Sequence, residues 1–272
     1  MSLATIVGVP LGAQLSSFAG WRTMFSVLGV LAALLAVAYA RIPVGASAPP
    51  AREPYLRQFG AVLGHPGAAR ALAATFLWNL SLFGLFAFIG ALYHDAFGSS
   101  IGAVGLYVLA GGIGNLVGSV VGGRAGDRHG KVRVVRIAAL CAAAGVLATS
   151  LTVSLAVTVA AHVLWSVAVG FGMASLSALV VSQLPQRRGT VMSLNAFAMN
   201  AAVVIGAGLG GAFLAGGRVY WPLGAACAVA GALVGAVAPE LPIAFAGRPS
   251  VPRRRRRPRR RCDRWPSDLQ RA

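Results

Sequence analysis

The stretch Gly123–Arg133, which reads Gly-Arg-Ala-Gly-Asp-Arg-His-Gly-Lys-Val-Arg, joins two long segments that carry no charged side chain. The 28 residues of 96–123 contain no Asp, Glu, Lys or Arg, and neither do the 50 residues of 137–186. About 20 apolar residues are enough for a helix to cross a bilayer. The pattern is typical of a charged loop between two membrane-spanning helices.

The composition of the 272-residue chain is that of a membrane protein. Hydrophobic residues make up 57% of it, charged residues only 11%, and the mean hydropathy is +0.74. Soluble domains carry roughly 25% charged residues. The composition therefore predicts an all-α integral membrane protein that crosses the bilayer several times.

Charged and proline-rich intervals divide the chain into eight apolar runs, each predicted to be a membrane-spanning helix. The runs are 2–19, 23–40, 71–93, 101–122, 134–148, 155–181, 190–214 and 220–238. The first two are predicted to form a hairpin that turns at Gly20-Trp21-Arg22. The uncharged interval 137–186 would make a helix of about 75 Å, so we expect it to fold back near 149–154.

The loops alternate in charge along the chain. The interval 41–70, which contains five prolines, is predicted to be a basic linker, and 239–272 a disordered arginine-rich tail. Loops 41–70 and 124–136 contain 4 and 5 Lys or Arg residues, 185–188 contains 2, and the tail contains 11. The loops of the opposite side contain only Arg22 and Arg218. The positive-inside rule therefore predicts that the linker, the tail and both termini are cytoplasmic.

Glycines recur at four-residue spacing along three of the runs, which places each set on one helix face. Lipid gives helices no hydrophobic reason to associate, so close packing through small residues has to hold them together. The alternative is that glycine is simply common in membrane helices. The glycines predicted to pack against neighbouring helices are Gly8, Gly12, Gly114, Gly118, Gly122, Gly206 and Gly210.

Polar and aromatic residues within the runs are the candidates for a substrate cavity. The runs carry no Asp, Glu, Lys or Arg away from their ends, so they offer no obvious carboxylate for proton coupling. His162 could carry a proton, or it could simply hydrogen-bond between helices. Asn79 shares a helix face with phenylalanines that could line a cavity for an amphipathic molecule or could serve packing alone. The candidates are Asn79, Phe83, Phe86, Asn115, His162, Trp165, Asn195 and Asn200.

No catalytic or metal-binding arrangement is indicated. Cys141, Cys227 and Cys262 lie in two different runs and in the tail, which suits neither a disulfide framework nor a metal site. The Ser and His residues lack an embedded acidic partner for a catalytic triad. We therefore predict no enzyme, no cofactor and no metal. The arginine-rich tail favours anionic lipid headgroups over nucleic acid as a partner, if it has one.

Four features resemble the drug and small-molecule efflux branch of the major facilitator superfamily. The stretch Gly123–Lys131 resembles the loop signature G-x-x-x-D-R-x-G-[RK]. The segment Gly8-Val-Pro10-Leu-Gly12 with Gly20-Trp21-Arg22 resembles the fifth helix and the start of the sixth, although its proline is one place later than usual. The linker 41–70 resembles the loop between the two halves, and Arg188-Gly189 with 193–195 resembles the start of the eleventh helix.

This resemblance implies that the runs are helices five to twelve of a fold with two six-helix bundles. Residues 1–40 would be the last two helices of the N-terminal bundle, and 71–238 the six-helix C-terminal bundle. Such proteins move a substrate between their bundles by alternating access. The resemblance further implies a multi-pass protein of the bacterial plasma (inner) membrane. A chain that starts at the fifth helix would be a fragment with little or no coupled transport of its own.

The resemblance also implies a cytoplasmic gate at the charged stretch. Gly123 would let a neighbouring helix approach closely, and Asp127 would lie near a helix N-terminus, where the helix dipole favours an anion. Arg128 and Lys131 would pair or hold the gate, and Gly130 completes the motif. The alternative is that the basic residues only set the topology.

The function implied is a major facilitator transporter that, in complete form, exports a drug or small amphipathic metabolite in exchange for protons. The alternative is a non-transporting membrane subunit or remnant that needs a separate N-terminal half. The expected partners are the lipid bilayer, a small organic substrate, protons and, in the alternative, that other half.

Overall fold

The computed structural model describes residues 2–41, 54–217 and 219–238, which are helical throughout apart from short connections and contain no β-strand. The helices are α1 Ser2–Ala40, α2 Tyr55–Leu63, α3 Pro66–Phe86, α4 Ile89–Phe97, α5 Ile101–His129, α6 Lys131–Ser150, α7 Leu155–Gln183, α8 Arg188–Ala215 and α9 Trp221–Val237. A single 3-10 turn, Pro185–Arg187, precedes α8. The predicted tail and residues 42–53 of the predicted linker lie outside the described residues.

Six segments of the described residues are long and apolar enough to cross a bilayer. They are Arg22–Ala40, Pro66–Phe97, Ile101–His129, Lys131–Ser150, Leu155–Gln183 and Pro185–Ala215. Helix α9 is equally apolar but shorter, with 17 residues. The prediction of an all-α integral membrane protein is confirmed.

Helix α1 is a hairpin of two arms. Gly20 breaks it with φ 80° and ψ 160°, a conformation that favours glycine because it has no Cβ. In a straight helix Gly12 and Met24 would lie about 18 Å apart. Instead, a Cβ added to Gly12 would lie 2.6 Å from Cε of Met24. The second arm therefore folds back on the first, as the short turn at Gly20 predicts.

The third predicted run is longer than expected and is broken in two. Helix α3 begins at Pro66 rather than at residue 71, because Nδ1 of His65 accepts a hydrogen bond from the backbone N–H of Ala68 at 3.2 Å and caps the helix. It ends at Phe86, and α4 continues the same membrane span to Phe97. Gly98, with φ 63°, ends α4.

The prediction of a loop over 124–136 is wrong. Helix α5 runs through the charged residues as far as His129, and α6 starts at Lys131, so Gly130 alone makes the turn with φ 90°. Within α5, no proline and no glycine of unusual backbone conformation ends the helix before Gly130. The turn expected near 149–154 is confirmed, since α6 ends at Ser150 and α7 begins at Leu155.

The predicted linker contains a helix that the prolines did not suggest. Helix α2 fits between Pro54, which directly precedes its first residue, and Pro66, which opens α3. Each proline lies at a helix start, where its missing N–H costs nothing. The prolines therefore delimit α2 rather than prevent it.

Helix α7 is the centre of the described bundle, and it packs most extensively against α5 and α6. Three clusters of buried side chains follow one another along it: the first includes Trp165, the second Leu176 and Leu179, and the third Val180. Large apolar side chains on α5 and α8 remain exposed. Such an apolar exterior is expected where lipid is the solvent.

Candidate functional site

Five aromatic side chains from four helices meet at the α4 end of the bundle. They are Phe86 of α3, Tyr93 of α4, Tyr107 of α5, and His162 and Trp165 of α7, and we call them the aromatic cluster. The ring centroids of Tyr93 and Tyr107 lie 4.9 Å apart, those of His162 and Trp165 5.5 Å, and those of Phe86 and Trp165 6.5 Å. These separations are typical of aromatic packing.

A hydrogen bond joins the two most polar members of the aromatic cluster. The hydroxyl of Tyr93 lies 3.2 Å from Nδ1 of His162, and both side chains are buried. A buried imidazole needs partners for its nitrogens, and a phenol can donate or accept. Gly111 makes room on the other side, because a Cβ there would lie 2.9 Å from Nε2 of His162. The pair holds a titratable group within a membrane-spanning segment.

A small cavity borders the aromatic cluster between α3, α6, α7 and α9. It is lined by Trp78, Ser81, Leu82, Ala139, Ala142, Trp165, Val169 and Gly231. The indole Nε1 atoms of Trp78 and Trp165 are buried and have no hydrogen-bond partner among the described residues. An unpaired buried donor is costly. Both indoles are therefore donors that a polar group entering this region could satisfy.

The structure brings some of the predicted cavity residues together. Phe86, His162 and Trp165 belong to the aromatic cluster, and the ring of Phe83 lies 6.0 Å from that of Phe86 in an edge-on contact. Asn115 lies nearby, because its Nδ2 donates to the carbonyl oxygen of Ser166, one turn along α7 from His162, at 3.4 Å.

The other three asparagines bond within their own helices. Asn79 is buried, and its Nδ2 donates to the Thr75 carbonyl at 2.8 Å. Asn195 is buried with its Nδ2 3.6 Å from Sδ of Met199, and its Oδ1 has no partner among the described residues. Asn200 is exposed on α8, and its Nδ2 donates to the carbonyl oxygen of Ala196 at 2.8 Å.

Sequence reasoning missed Tyr93 and Gly111. Tyr93 is the last residue of its predicted run, because His94 and Asp95 follow it. The signal that could have found it is the need of a buried histidine for a hydrogen-bond partner, which a tyrosine in a neighbouring span can meet. Gly111 lies three residues before Gly114 and so continues the glycine face of α5.

The glycine face of α5 lies directly against the backbone of α7. A Cβ at Gly114 would lie 3.1 Å from the Val163 carbonyl oxygen, and one at Gly118 or Gly122 would overlap the carbonyl oxygens of Val167 or Phe171. On α8, Gly206 and Gly210 both approach Gly84 of α3, and Gly210 also lies beside Phe88, between α3 and α4. The surroundings of Gly8 lie outside the described part of the structure.

The charged stretch differs in two respects from what the resemblance implies. Asp127 is exposed in the last turn of α5, at a helix C-terminus, and no side chain caps α6. A Cβ at Gly123 would meet no described atom within 4 Å, whereas one at Gly126 would overlap Oγ of Ser175. Within the charged stretch the close approach therefore occurs at Gly126 and not at Gly123. Arg128 is exposed and Lys131 is half-buried.

Comparison with known proteins agrees with this architecture. A model of the Major Facilitator Superfamily matches residues 82–267. The chain is 26% identical over 213 residues to the MFS-type transporter YceJ of Bacillus subtilis, which covers 78% of this chain and 54% of YceJ. It is 29% identical over 239 residues to the MFS-type transporter YwfA of the same organism, covering 84% and 56% of the two chains.

The chain is also similar, over a shorter region, to a protein whose name states its substrate. It is 24% identical over 119 residues to the purine ribonucleoside efflux pump NepI of Salmonella enteritidis, covering 44% of this chain and 30% of that pump. The chain spans about half the length of the first two relatives. The family model covers more than half of the chain. The described helices of the chain include six that are long and apolar enough to cross a membrane. The chain therefore belongs to the Major Facilitator Superfamily.

Proposed function

We propose that this chain forms the substrate-contacting part of an exporter that exchanges a small amphipathic organic molecule for protons. The aromatic cluster is the observation that carries the proposal. It combines large apolar rings with the hydrogen-bonded pair of Tyr93 and His162. Binding sites for small molecules combine apolar walls with a few placed polar groups in this way.

Coupling to protons is assigned to His162. Away from their ends the described spans carry no carboxylate, and His162 is the imidazole there that could take up a proton, since His94 and His129 lie at span ends. Protonation would place a hydrogen on both ring nitrogens, so that Nδ1 would donate its hydrogen bond to the Tyr93 hydroxyl. A substrate that alters this hydrogen bond would thereby alter proton binding. The distant similarity to a purine ribonucleoside efflux pump supports export as the direction.

We also propose that the linker, the Gly130 turn and the 185–188 turn face the cytoplasm. Three contacts support a common side for these segments. Gly126 packs against Ser175, Gly67 against Gln183, and the Thr190 hydroxyl donates to Oε1 of Gln58 at 3.0 Å. Each contact lies near the C-terminal end of α7 or directly after it. The basic residues of these segments favour the cytoplasmic side, and we place the chain in a bacterial plasma membrane.

The proposal is tested by transport into everted membrane vesicles that contain the full chain together with the helices that the resemblance assigns to the rest of the exporter, since the chain alone is expected to transport little. We expect an acidic vesicle interior to drive uptake of an amphipathic dye or a purine ribonucleoside. His162→Gln should abolish that uptake, whereas His129→Gln should preserve it, because His129 is exposed at the end of α5. Equal uptake by both variants would contradict the assignment of His162.

A second candidate function is favoured by Asn200. This residue is the thirteenth of the 28 in α8, near the middle of a span, yet its side chain is exposed beside Phe197, Ala201, Val204 and Ile205. Polar side chains at that depth normally face protein or a water-filled cavity. The chain would then be one subunit that acts only with a separate polypeptide covering this face of α8.

The two candidates are separated by crosslinking from α8. A photoreactive residue in place of Phe197 should capture a membrane polypeptide in native membranes if the chain is such a subunit. The same residue in place of Leu164, which is 68% exposed on α7, is the control for nonspecific capture. Capture of lipid alone at both positions would dismiss the second candidate.

A further inference from the structure

Helix α2 directly precedes a membrane-spanning segment. Only two residues, 64 and 65, separate it from α3, which opens the membrane span Pro66–Phe97. Its Val62 is fully buried in a cluster with Ala68 and Val191 from the first turns of α3 and α8. Gln58 accepts the hydrogen bond from Thr190, at the start of α8, at 3.0 Å. The helix is therefore fixed beside the ends of two spans.

The surface of α2 has three different flanks. Successive residues are rotated by about 100° around a helix, so positions seven apart share a flank. Leu56 and Leu63 share one flank, and they are 85% and 54% exposed. Val62 lies about 110° away on one side and packs against the bundle, whereas Arg57 lies about 110° away on the other side. The exposed leucine flank thus separates the buried flank from the basic one.

The surroundings of this exposed flank are basic. Arg57, Arg70 and Arg188 are exposed on α2 and on the first turns of α3 and α8. Residues 54–70 and 184–196 contain no Asp or Glu. A cytoplasmic lipid leaflet offers negative headgroups above an apolar layer, which complements a basic flank beside an apolar one. The exposed leucine flank of α2 matches the apolar layer, and its neighbouring basic flank matches the headgroups.

We propose that α2 is an interfacial helix that binds anionic phospholipid. Leu56 and Leu63 enter the boundary between headgroups and acyl chains, and Arg57 and Arg188 meet the lipid phosphates. A helix with one apolar flank and neighbouring cations lies in the interface in this way. This site is separate from the aromatic cluster and requires no transport activity. Its consequence is that anionic lipid holds α2, and through Gln58 the start of α8, in a fixed position.

The test measures the depth of spin labels on α2 in the full chain. Leu56→Cys and, as the matched control, Ala61→Cys are introduced together with Cys141→Ser and Cys262→Ser, because Ala61 is exposed near the basic flank. Cys227 is 5% exposed and can stay; the parent without a new cysteine reports any labelling there. Collisions of each nitroxide with oxygen and with a water-soluble nickel chelate are compared in phosphatidylcholine vesicles with and without phosphatidylglycerol.

We expect the oxygen-to-nickel collision ratio at position 56 to be several-fold higher than at position 61 when phosphatidylglycerol is present. Adding Arg57→Gln and Arg188→Gln should reduce that difference by more than half. Free access of nickel at position 56 would mean water contact, and low access of both agents would mean a protein cover. Either result, or equal depth with and without phosphatidylglycerol, would overturn the proposal. None of these outcomes depends on export or on His162.

Discussion

The hydroxyl of Tyr93 lies 3.2 Å from Nδ1 of His162, inside a bundle where both side chains are shielded from solvent. The bond ties the short helix α4 to the central helix α7 across a sequence separation of 69 residues. Since α4 continues α3 beyond a break after Phe86, this contact fixes where the second half of that span lies. It also places a titratable group beside the rings of the aromatic cluster.

Tyr93→Phe should destabilise the chain by about 1–3 kcal/mol, because it leaves a buried ring nitrogen of His162 without its partner. Tyr107→Phe is the control. The ring of Tyr107 is in the same cluster but only partly buried, and we expect a change within about 0.5 kcal/mol. Reversible unfolding in mixed micelles measures both. Equal losses in the free energy of unfolding would show that the Tyr93 hydroxyl contributes no more than the Tyr107 hydroxyl.

Gly118→Ala and Gly122→Ala should each cost about 1–3 kcal/mol, because the new Cβ would overlap backbone carbonyl groups of α7 and force α5 away. Gly123→Ala is one residue further along α5 and meets no described atom within 4 Å. It should be neutral or should stabilise the helix by up to about 1 kcal/mol. The same unfolding assay measures all three variants. If Gly123→Ala is destabilising, Gly123 does lie close to a neighbouring helix, as the resemblance implies.

Gly20→Ala should weaken the hairpin of α1 by about 1–2 kcal/mol, because alanine is strained at a φ of 80°. Gly29→Ala, in the regular part of the second arm and with no described atom within 4 Å of its Cβ, should leave the hairpin intact. Hydrogen exchange of the amides in 2–40 reports the difference. If Gly20→Ala leaves exchange unchanged, the turn does not need glycine.

Asn200→Leu separates a lipid environment from a protein environment at α8. If lipid alone covers this face, leucine should stabilise the chain by about 1 kcal/mol or more, since a polar amide is costly in hydrocarbon. If a second polypeptide covers it, the variant should instead lose copurification of that partner. Ile205→Leu, on the same exposed face, is the control that should change neither quantity.

Six of the eight predicted runs correspond to segments long and apolar enough to cross a bilayer, because charge is expensive in a bilayer and marks where such segments end. The turn after Ser150 and the hairpin at Gly20 followed from run length and from the position of Arg22. Charge alone could not locate the ends of helices. Helix α5 continues to His129 because charged residues at a membrane surface can stay helical until a glycine with positive φ stops them.

The candidate site was found in part, because only some of its residues carry a signal of their own. His162 and Trp165 are unusual in an apolar run, and their spacing on one helix face was readable. Tyr93 acquires its role from a contact across 69 residues, which no local pattern encodes. Asn79 looked equally promising, yet its amide is satisfied by Thr75 one turn earlier. Helix α2 was not predicted, because prolines commonly indicate a loop, whereas Pro54 and Pro66 lie at the starts of α2 and α3.

The most direct test of substrate contact at the aromatic cluster is quenching of tryptophan fluorescence by an amphipathic compound in proteoliposomes of the full chain. It needs binding only, not a complete transport cycle. Trp165→Phe removes the indole of the cluster, and Trp221→Phe removes one that is 56% exposed at the start of α9. We predict saturable quenching in the wild type and in Trp221→Phe, and much weaker quenching in Trp165→Phe, where Trp78 of the bordering cavity is the remaining nearby indole. Undiminished quenching in Trp165→Phe would contradict binding at the aromatic cluster.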